Sequence, residues 1–218
     1  MIEEHINQPF IIDYIRNLLP KQADILEEMK AFAQHEDTYA PIVQPEVAQM
    51  LTVLCKMVNP TTILEIGTAI GYSAIVMATA TQNVQKLVTV ERYDKMAALA
   101  RQNVQKAGLE SIIQIVEADA VAWLPTVQGT FDLIFLDAAK GQYLEFLPHC
   151  LRLLKQGGVL ISDNILYKGM IAAPHLVIRR KITIVKRIRK YLIEIMNHPA
   201  LDTSIIPIGD GVAISYKR

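Results

Sequence analysis

Cysteine is scarce in this 218-residue chain. Cys55 and Cys150 stand alone, each in a stretch with helical patterning and neither at metal-ligand spacing. That excludes a disulfide framework and a thiolate zinc site, and it predicts two buried, reduced thiols. Long apolar runs are missing too: none approaches the roughly 18 residues needed to span a bilayer. The opening residues, MIEEHINQPF, carry acids and lack the basic region and apolar stretch of a secretion signal. A cytoplasmic protein with no stable membrane association is the expectation. Repeats, low-complexity tracts and Gly/Ser linkers are absent. So is net charge, because 22 basic and 22 acidic residues cancel. The balance hides a segregation: residues 1–40 hold eight acids and three bases, whereas residues 179–190 hold seven bases and no acid.

What is present supports one well-filled core. The chain is 51% hydrophobic and 20% charged, and its length suits a single domain over residues 1–218. Residues 1–60 read as helices, with Ile11, Ile15, Leu18 and Leu19, then Val47, Met50, Leu51 and Leu54, at helical spacing. Pro41 and Pro45 interrupt, so 39–45 reads as a loop or a helix entry. Residues 61–218 read as an α/β core. Short Ile/Val-rich runs at 62–66, 87–90, 112–116, 133–136 and 159–161 alternate with helical stretches, the pattern of a parallel sheet covered on both faces. Two further runs, 204–208 and 212–216, flank Gly209-Asp210-Gly211 and read as a terminal hairpin with a tight turn. In such open sheets ligands bind at the carboxyl ends of the strands.

The residues just after each run therefore carry the argument. After the first comes Glu65-Ile66-Gly67-Thr68-Ala69-Ile70-Gly71-Tyr72-Ser73, a G-x-x-x-G turn feeding a helix; the dinucleotide fingerprint G-x-G-x-x-G is absent. Glycines let a ligand approach the backbone, and the helix N-terminus favours an anionic group such as an amino-acid carboxylate, with Ser73 as a donor. Glu91, ending the second run, suits both hydroxyls of a ribose; the ordinary alternative is a solvated acid. Asp119, after the third run, can accept from an adenine amino group while Ala118 and Ala120 leave room for the ring.

The fourth run ends in Asp137 with Lys140 three residues on, and the fifth ends in Asp163-Asn164. Two carboxylates and an amide oxygen at one rim form a hard-oxygen set of the kind Mg²⁺ prefers, and the lack of His and Cys argues against Zn²⁺. Each residue alone has a duller reading as a helix cap or turn former; it is their common register that points to a site. Beside a dication the ammonium form of Lys140 is disfavoured, so it can accept a hydroxyl proton or, staying charged, stabilise an oxyanion.

Together ILEIGTAIGYSA, VTVERYD, VEADA, FDLIFLDAAKGQY, GGVLISDN and IGDGVAIS resemble the catechol and caffeoyl-CoA type of O-methyltransferase, within the Rossmann-like S-adenosylmethionine (SAM)-dependent methyltransferases. The resemblance runs from about Tyr39 to the C-terminus, with no departure at the functional positions. It implies a seven-stranded, mostly parallel sheet of order 3-2-1-4-5-7-6 with helices on both faces and extra N-terminal helices. It implies SAM contacts from Val43, Glu65, Gly67, Gly71, Ser73, Glu91, Asp119, Ala120 and Asp137. It also implies Mg²⁺ on Asp137, Asp163 and Asn164, a catalytic Lys140 beside Asp137, and a homodimer.

The segment RRKITIVKRIRK places Ile182, Val185, Ile188 and Leu192 at helical spacing beneath a basic outer face: Arg179, Arg180, Lys181, Lys186, Arg187, Arg189 and Lys190. Phosphate backbone is its natural partner, while a solvated face or anionic lipid remain alternatives. With the acidic N-terminus and the tail MNHPALDTSIIPIGDGVAIS, it resembles a bacterial subgroup that methylates 5-hydroxyuridine in the tRNA anticodon loop. Against this stand a small-molecule catechol or vicinal-diol methyltransferase and a non-catalytic RNA-binding protein on the same scaffold. The five histidines show no ligand spacing, His175 being nearest the substrate-side region. Trp123 and Tyr143 read as core or rim residues, and Tyr167 and Lys168 as candidates for the acceptor pocket.

Overall fold

Five of the seven strands are apolar on both faces, and the computed structural model shows why. It describes residues 6–35 and 40–218; residue 39, the predicted start of the first loop, and His5 lie outside them. Three helices come first: α1 (Pro9–Leu18), α2 (Asp24–Gln34) and α3 (Pro45–Val58). The core alternates as β1 (Thr62–Ile66), α4 (Tyr72–Thr79), β2 (Lys86–Glu91), α5 (Asp94–Lys106), β3 (Ile113–Glu117), α6 (Ala120–Trp123), β4 (Phe131–Leu136), α7 (Tyr143–Leu153) and β5 (Leu154–Ser162). It closes with α8 (Ile182–Asn197), β6 (Leu201–Ile206) and β7 (Val212–Lys217). The sheet order is β3-β2-β1-β4-β5-β7-β6, with β1 to β5 parallel and β7 antiparallel to both its neighbours, as expected.

Alternate strand residues enter two separate cores. Ile63, Leu133, Phe135 and Ile161 face α2, α3 and α4, while Leu64, Ile66, Ile134, Leu136 and Leu160 face α7 and α8. Cys55 and Cys150 are buried, one in each core, and burial pushes both thiols up to about 12. Edge strand β3 is only partly covered. α1 buries nothing and exposes Phe10, Tyr14 and Leu18; the bidentate contact of Arg16 with Glu46 (2.8 and 3.1 Å) ties it to α3. Among the described residues no helix is long and apolar enough to cross a membrane.

Two local expectations need correction. The hairpin turn is longer than a tight turn, running from Pro207 to Gly211, because Pro207 has no N–H to continue the ladder and β6 stops at Ile206. In the basic segment Val185, Ile188 and Leu192 are buried, but Ile182 at the start of α8 is 40% exposed. A 3₁₀ turn at Arg179–Lys181 precedes it, so the apolar face begins one turn later.

Candidate active site

The carboxyl ends of β1 to β5 line one cleft of about 820 Å³. On its cofactor side the backbone makes the first constraint. Gly67 has φ +104°, and its amide donates to the Val90 carbonyl. Gly71 caps α4 in the left-handed region, where glycine carries no Cβ penalty, so the helix N-terminus opens toward the cleft. Gly67, Ser73, Glu91, Asp119, Ala120 and Asp137 all line the cleft, and Val43 closes it from the loop before α3. The Glu91 carboxylate is fixed by three backbone amides, from Ala69, Arg92 and Tyr93, each at 2.9 Å. Asp119 both lines the cleft and caps α6 through the Val121 amide.

Glu65 and Gly71 do not line the wall. Gly71 backs onto Ala100, leaving room between α4 and α5. Glu65 is fully buried beneath the glycine loop, where Ser73 Oγ and Thr89 Oγ1 donate to its two oxygens at 2.5 Å each; Thr68 Oγ1 lies 2.6 Å from Thr89. Burial pushes the Glu65 carboxyl up to about 8, against the pull of the two hydroxyls, so it holds its proton at neutral pH. Because the folded-state value is the raised one, Glu65 stabilises the fold at low pH. That contribution fades as pH climbs from about 4.5 toward 8. Glu65→Gln keeps one acceptor oxygen, turns the other contact into a bond donated by its NH2 to the facing hydroxyl, and should flatten part of the fall in melting temperature between pH 6 and pH 8.5. An unchanged slope would show that Glu65 is already ionised in the fold. Asp163 has the same sign, so some slope persists.

At the other end of the cleft stand Asp137, Lys140, Asp163 and Asn164. Tyr143 draws them together in a way the sequence did not reveal: its buried Oη shares its proton between the Leu136 and Asp163 carbonyls, both at 3.0 Å. The ends of β4 and β5 are thereby stapled side by side. Tyr143 stacks edge-on against Tyr191 (5.4 Å, 74°), whose hydroxyl lies 2.6 Å from Ser162 Oγ. Asp163 is 1% exposed, and burial first and Asp137 second push its carboxyl well above the usual range. Lys140 is paired with Asp137 and lies over the Tyr143 ring.

This donor set fits a hard divalent cation: two carboxylates and one amide oxygen, with a buried acid that a dication would ionise. The third donor is an amide, and among the described residues no three His, Cys, Asp or Glu side chains cluster. Tyr167 and Lys168 follow Asn164 but stay off the cleft wall, as does exposed His175. The loop Pro41–Gln44 before α3 completes the wall, together with Tyr72 of α4, whose hydroxyl donates to Gln22 at 2.6 Å. In sequence the bracketing prolines marked that loop, and the resemblance placed Val43 within it among the SAM contacts.

Of the seven bases in the segment 179–190, three have partners. Arg189 bonds the Met170 and Ile171 carbonyls, Arg187 reaches the Gly141 carbonyl at 3.3 Å, and Lys181 lies 5.6 Å from the Tyr167 ring centre. Arg179, Arg180, Lys186 and Lys190 are exposed and make no side-chain hydrogen bond or ion pair among the described residues.

A seven-stranded sheet of this order, with its cleft across the carboxyl edge, defines the Rossmann-like methyltransferase fold. More narrowly, the chain belongs to the O-methyltransferase family, whose pattern matches residues 18–218. It is 35% identical over 162 residues to a catechol O-methyltransferase from Niastella koreensis, covering 72% of this chain and 73% of that one. A caffeoyl-CoA O-methyltransferase from Populus trichocarpa is 27% identical over 211 residues, covering 92% and 85%. A solved Staphylococcus aureus structure with a provisional caffeoyl-CoA O-methyltransferase name superposes with a TM-score of 0.88 at 33% identity, covering 96% of this chain and 100% of that one. A Bacillus cereus O-methyltransferase solved in complex with SAH gives 0.83 at 25%, covering 96% and 97%.

Proposed function

We propose that the protein transfers a methyl group from SAM to one oxygen of a vicinal oxygen pair with the help of Mg²⁺, and that the acceptor is 5-hydroxyuridine in a tRNA anticodon loop. The observation that carries the chemistry is the shared cleft. A glycine loop and ribose-type acid occupy one end, and Asp137, Lys140, Asp163 and Asn164 occupy the other. When bound, SAM supplies an electrophilic sulfonium methyl, and Mg²⁺ on Asp137, Asp163 and Asn164 favours ionisation of a hydroxyl. The chain's own part is placement and charge. The free N–H groups at the α4 N-terminus, that of Ser73 among them, take the methionine carboxylate, Glu91 takes the ribose, and Asp119 and Ala120 border the adenine. Lys140 places a positive charge where the acceptor oxygen becomes anionic. With SAM bound, the S–CH3 bond would break as the O–CH3 bond forms, the pair staying on sulfur and the hydroxyl proton leaving to solvent, and this chain's share would be to hold the two reactants in line.

Two features support an RNA-borne acceptor. Arg179, Arg180, Lys186 and Lys190 stand unpaired among the described residues in or just before α8, and Arg187 reaches the Gly141 carbonyl, next to Lys140 and Gln142 of the cleft wall. In 5-hydroxyuridine the 5-oxygen and the 4-carbonyl oxygen sit on adjacent carbons, as the oxygens of a catechol do. The names of the Niastella and Populus relatives favour a small-molecule vicinal diol as the second reading. A second copy of the chain covering the apolar stripe of α1 belongs to either. The deciding assay combines SAM, Mg²⁺ and tRNA bearing 5-hydroxyuridine, then digests the RNA and weighs the nucleosides. A methylated hydroxyuridine, lost on adding EDTA, is expected; methylation of catechol alone would establish the second reading.

Replacing Arg179, Arg180, Lys186 and Lys190 by glutamine should weaken tRNA binding and reduce its dependence on log salt by up to about 2.8, or about 0.7 per lost phosphate contact on a single strand. Turnover of a small catechol should be untouched. An unaltered salt slope would mean that these bases only face solvent.

A further inference from the structure

The turn between β6 and β7 does more than reverse the chain. It lies against residues 164–168, the segment that leaves β5 after Asp163. Ile165 N donates to the Gly211 carbonyl and Leu166 N to the Asp210 carbonyl, both at 3.0 Å, and Lys168 N donates to the Asp210 carboxylate. Leu166 fills the space over Gly211, where a Cβ would fall 2.3 Å from Leu166 Cγ. The clamped segment is strained: Asn164, Tyr167 and Lys168 all lie in the left-handed region, with φ of 54°, 47° and 55°. Residues with a Cβ hold such conformations only where their surroundings over-determine them.

We propose that Asp210 is a positioning residue for the acceptor end of the cleft. Its carboxylate holds the 164–168 segment in its strained course and so aims the Asn164 amide at the rim beside Asp163. The inference rests on the reading of Asp137, Asp163 and Asn164 as that end. It explains why a hairpin far along the chain from Asn164 contacts the site with a charged turn residue and not merely with glycines. An ordinary turn needs no such reach, since Asp in turns usually bonds its own backbone two residues on.

The test compares the full-length chain with Asp210→Ala, Asp210→Ser and Asp210→Asn. Alanine removes the acceptor, serine keeps a polar turn residue too short to reach Lys168 N–H, and asparagine keeps an oxygen in place. Amide hydrogen exchange over residues 164–170 should rise about tenfold or more in the alanine and serine variants and stay near wild type in the asparagine variant. Mn²⁺ affinity, read by electron paramagnetic resonance, should fall about tenfold in the first two, in the range of lost outer-shell support. SAM affinity should stay within about twofold of wild type. If alanine fails to fold, serine carries the comparison. Wild-type exchange at 164–170 in both short variants, or asparagine behaving like alanine, would overturn the proposal. Wild type failing to bind Mn²⁺ would instead count against the acceptor-end reading, and the exchange comparison would still decide the clamp.

Discussion

Asp163→Ala should lower turnover by at least about a thousandfold while leaving SAM affinity within about threefold of wild type. Asp163 directly follows β5, at the far end of the cleft from the glycine loop, and among the described residues its side chain accepts only the Asn164 backbone N–H. The Tyr143 staple holds its carbonyl, which the substitution keeps. The fold should therefore survive, and the metal-free variant should melt no lower than wild type, because it no longer buries an acid whose ionisation burial opposes. Adding Mg²⁺ should raise the melting temperature of the wild type alone, as mass action requires of a ligand that binds only the folded state. Asp137→Ala should lose turnover to the same degree but also disturb Lys140, its ion-pair partner. Turnover that persists in Asp163→Ala, or that ignores EDTA, would remove Mg²⁺ from the reading.

Much of this site was legible because parallel α/β sheets put chemistry in a fixed place. Once the Ile/Val runs were located, Gly67, Glu91, Asp119, Asp137 and Asp163 fell at strand ends, and register did the rest. The parts not legible depend on pairs distant in sequence. Tyr143 looks like any core aromatic until its hydroxyl is seen between two carbonyls from different strands. Glu65, two residues from Gly67, reads as part of the wall; strand alternation turns it to the buried side, where its partners Ser73 and Thr89 lie on separate elements. Asp210 reads as a turn former because local pattern shows only what a residue does to its own backbone. The basic segment was visible as charge, but not that Arg189 directs its guanidinium to two carbonyls while four neighbours are unpaired among the described residues.

Gly67→Ala should be the most damaging single-methyl change on the cofactor side, and the comparison with Gly71→Ala shows why. Both glycines have positive φ, +104° and +86°, so each substitution meets backbone strain of about 1–2 kcal/mol. At Gly71 the new Cβ would meet Ala100 Cβ at 3.4 Å, which a small shift of α5 can absorb. At Gly67 it would fall 2.2 Å from the Asp137 carbonyl oxygen and 2.7 Å from its carbonyl carbon. Those atoms are backbone, and Asp137 N is itself bonded to the Ile66 carbonyl at 2.9 Å, so relief means parting the ends of β1 and β4. A loss of about 4 kcal/mol or more is expected, against about 1–2 kcal/mol for Gly71→Ala. At about 2–4 °C per kcal/mol for a chain of this size, melting should fall by roughly 10 °C in the first and by a few degrees in the second. The same movement displaces Asp137, so SAM binding and Mg²⁺ dependence should fail together in Gly67→Ala and survive in Gly71→Ala. Equal losses in the two variants would mean that φ strain alone matters and that β1 and β4 are not locked at this contact. Unequal losses would identify the Gly67–Asp137 approach as the joint through which the cofactor half and the acceptor half of the cleft are held in one geometry.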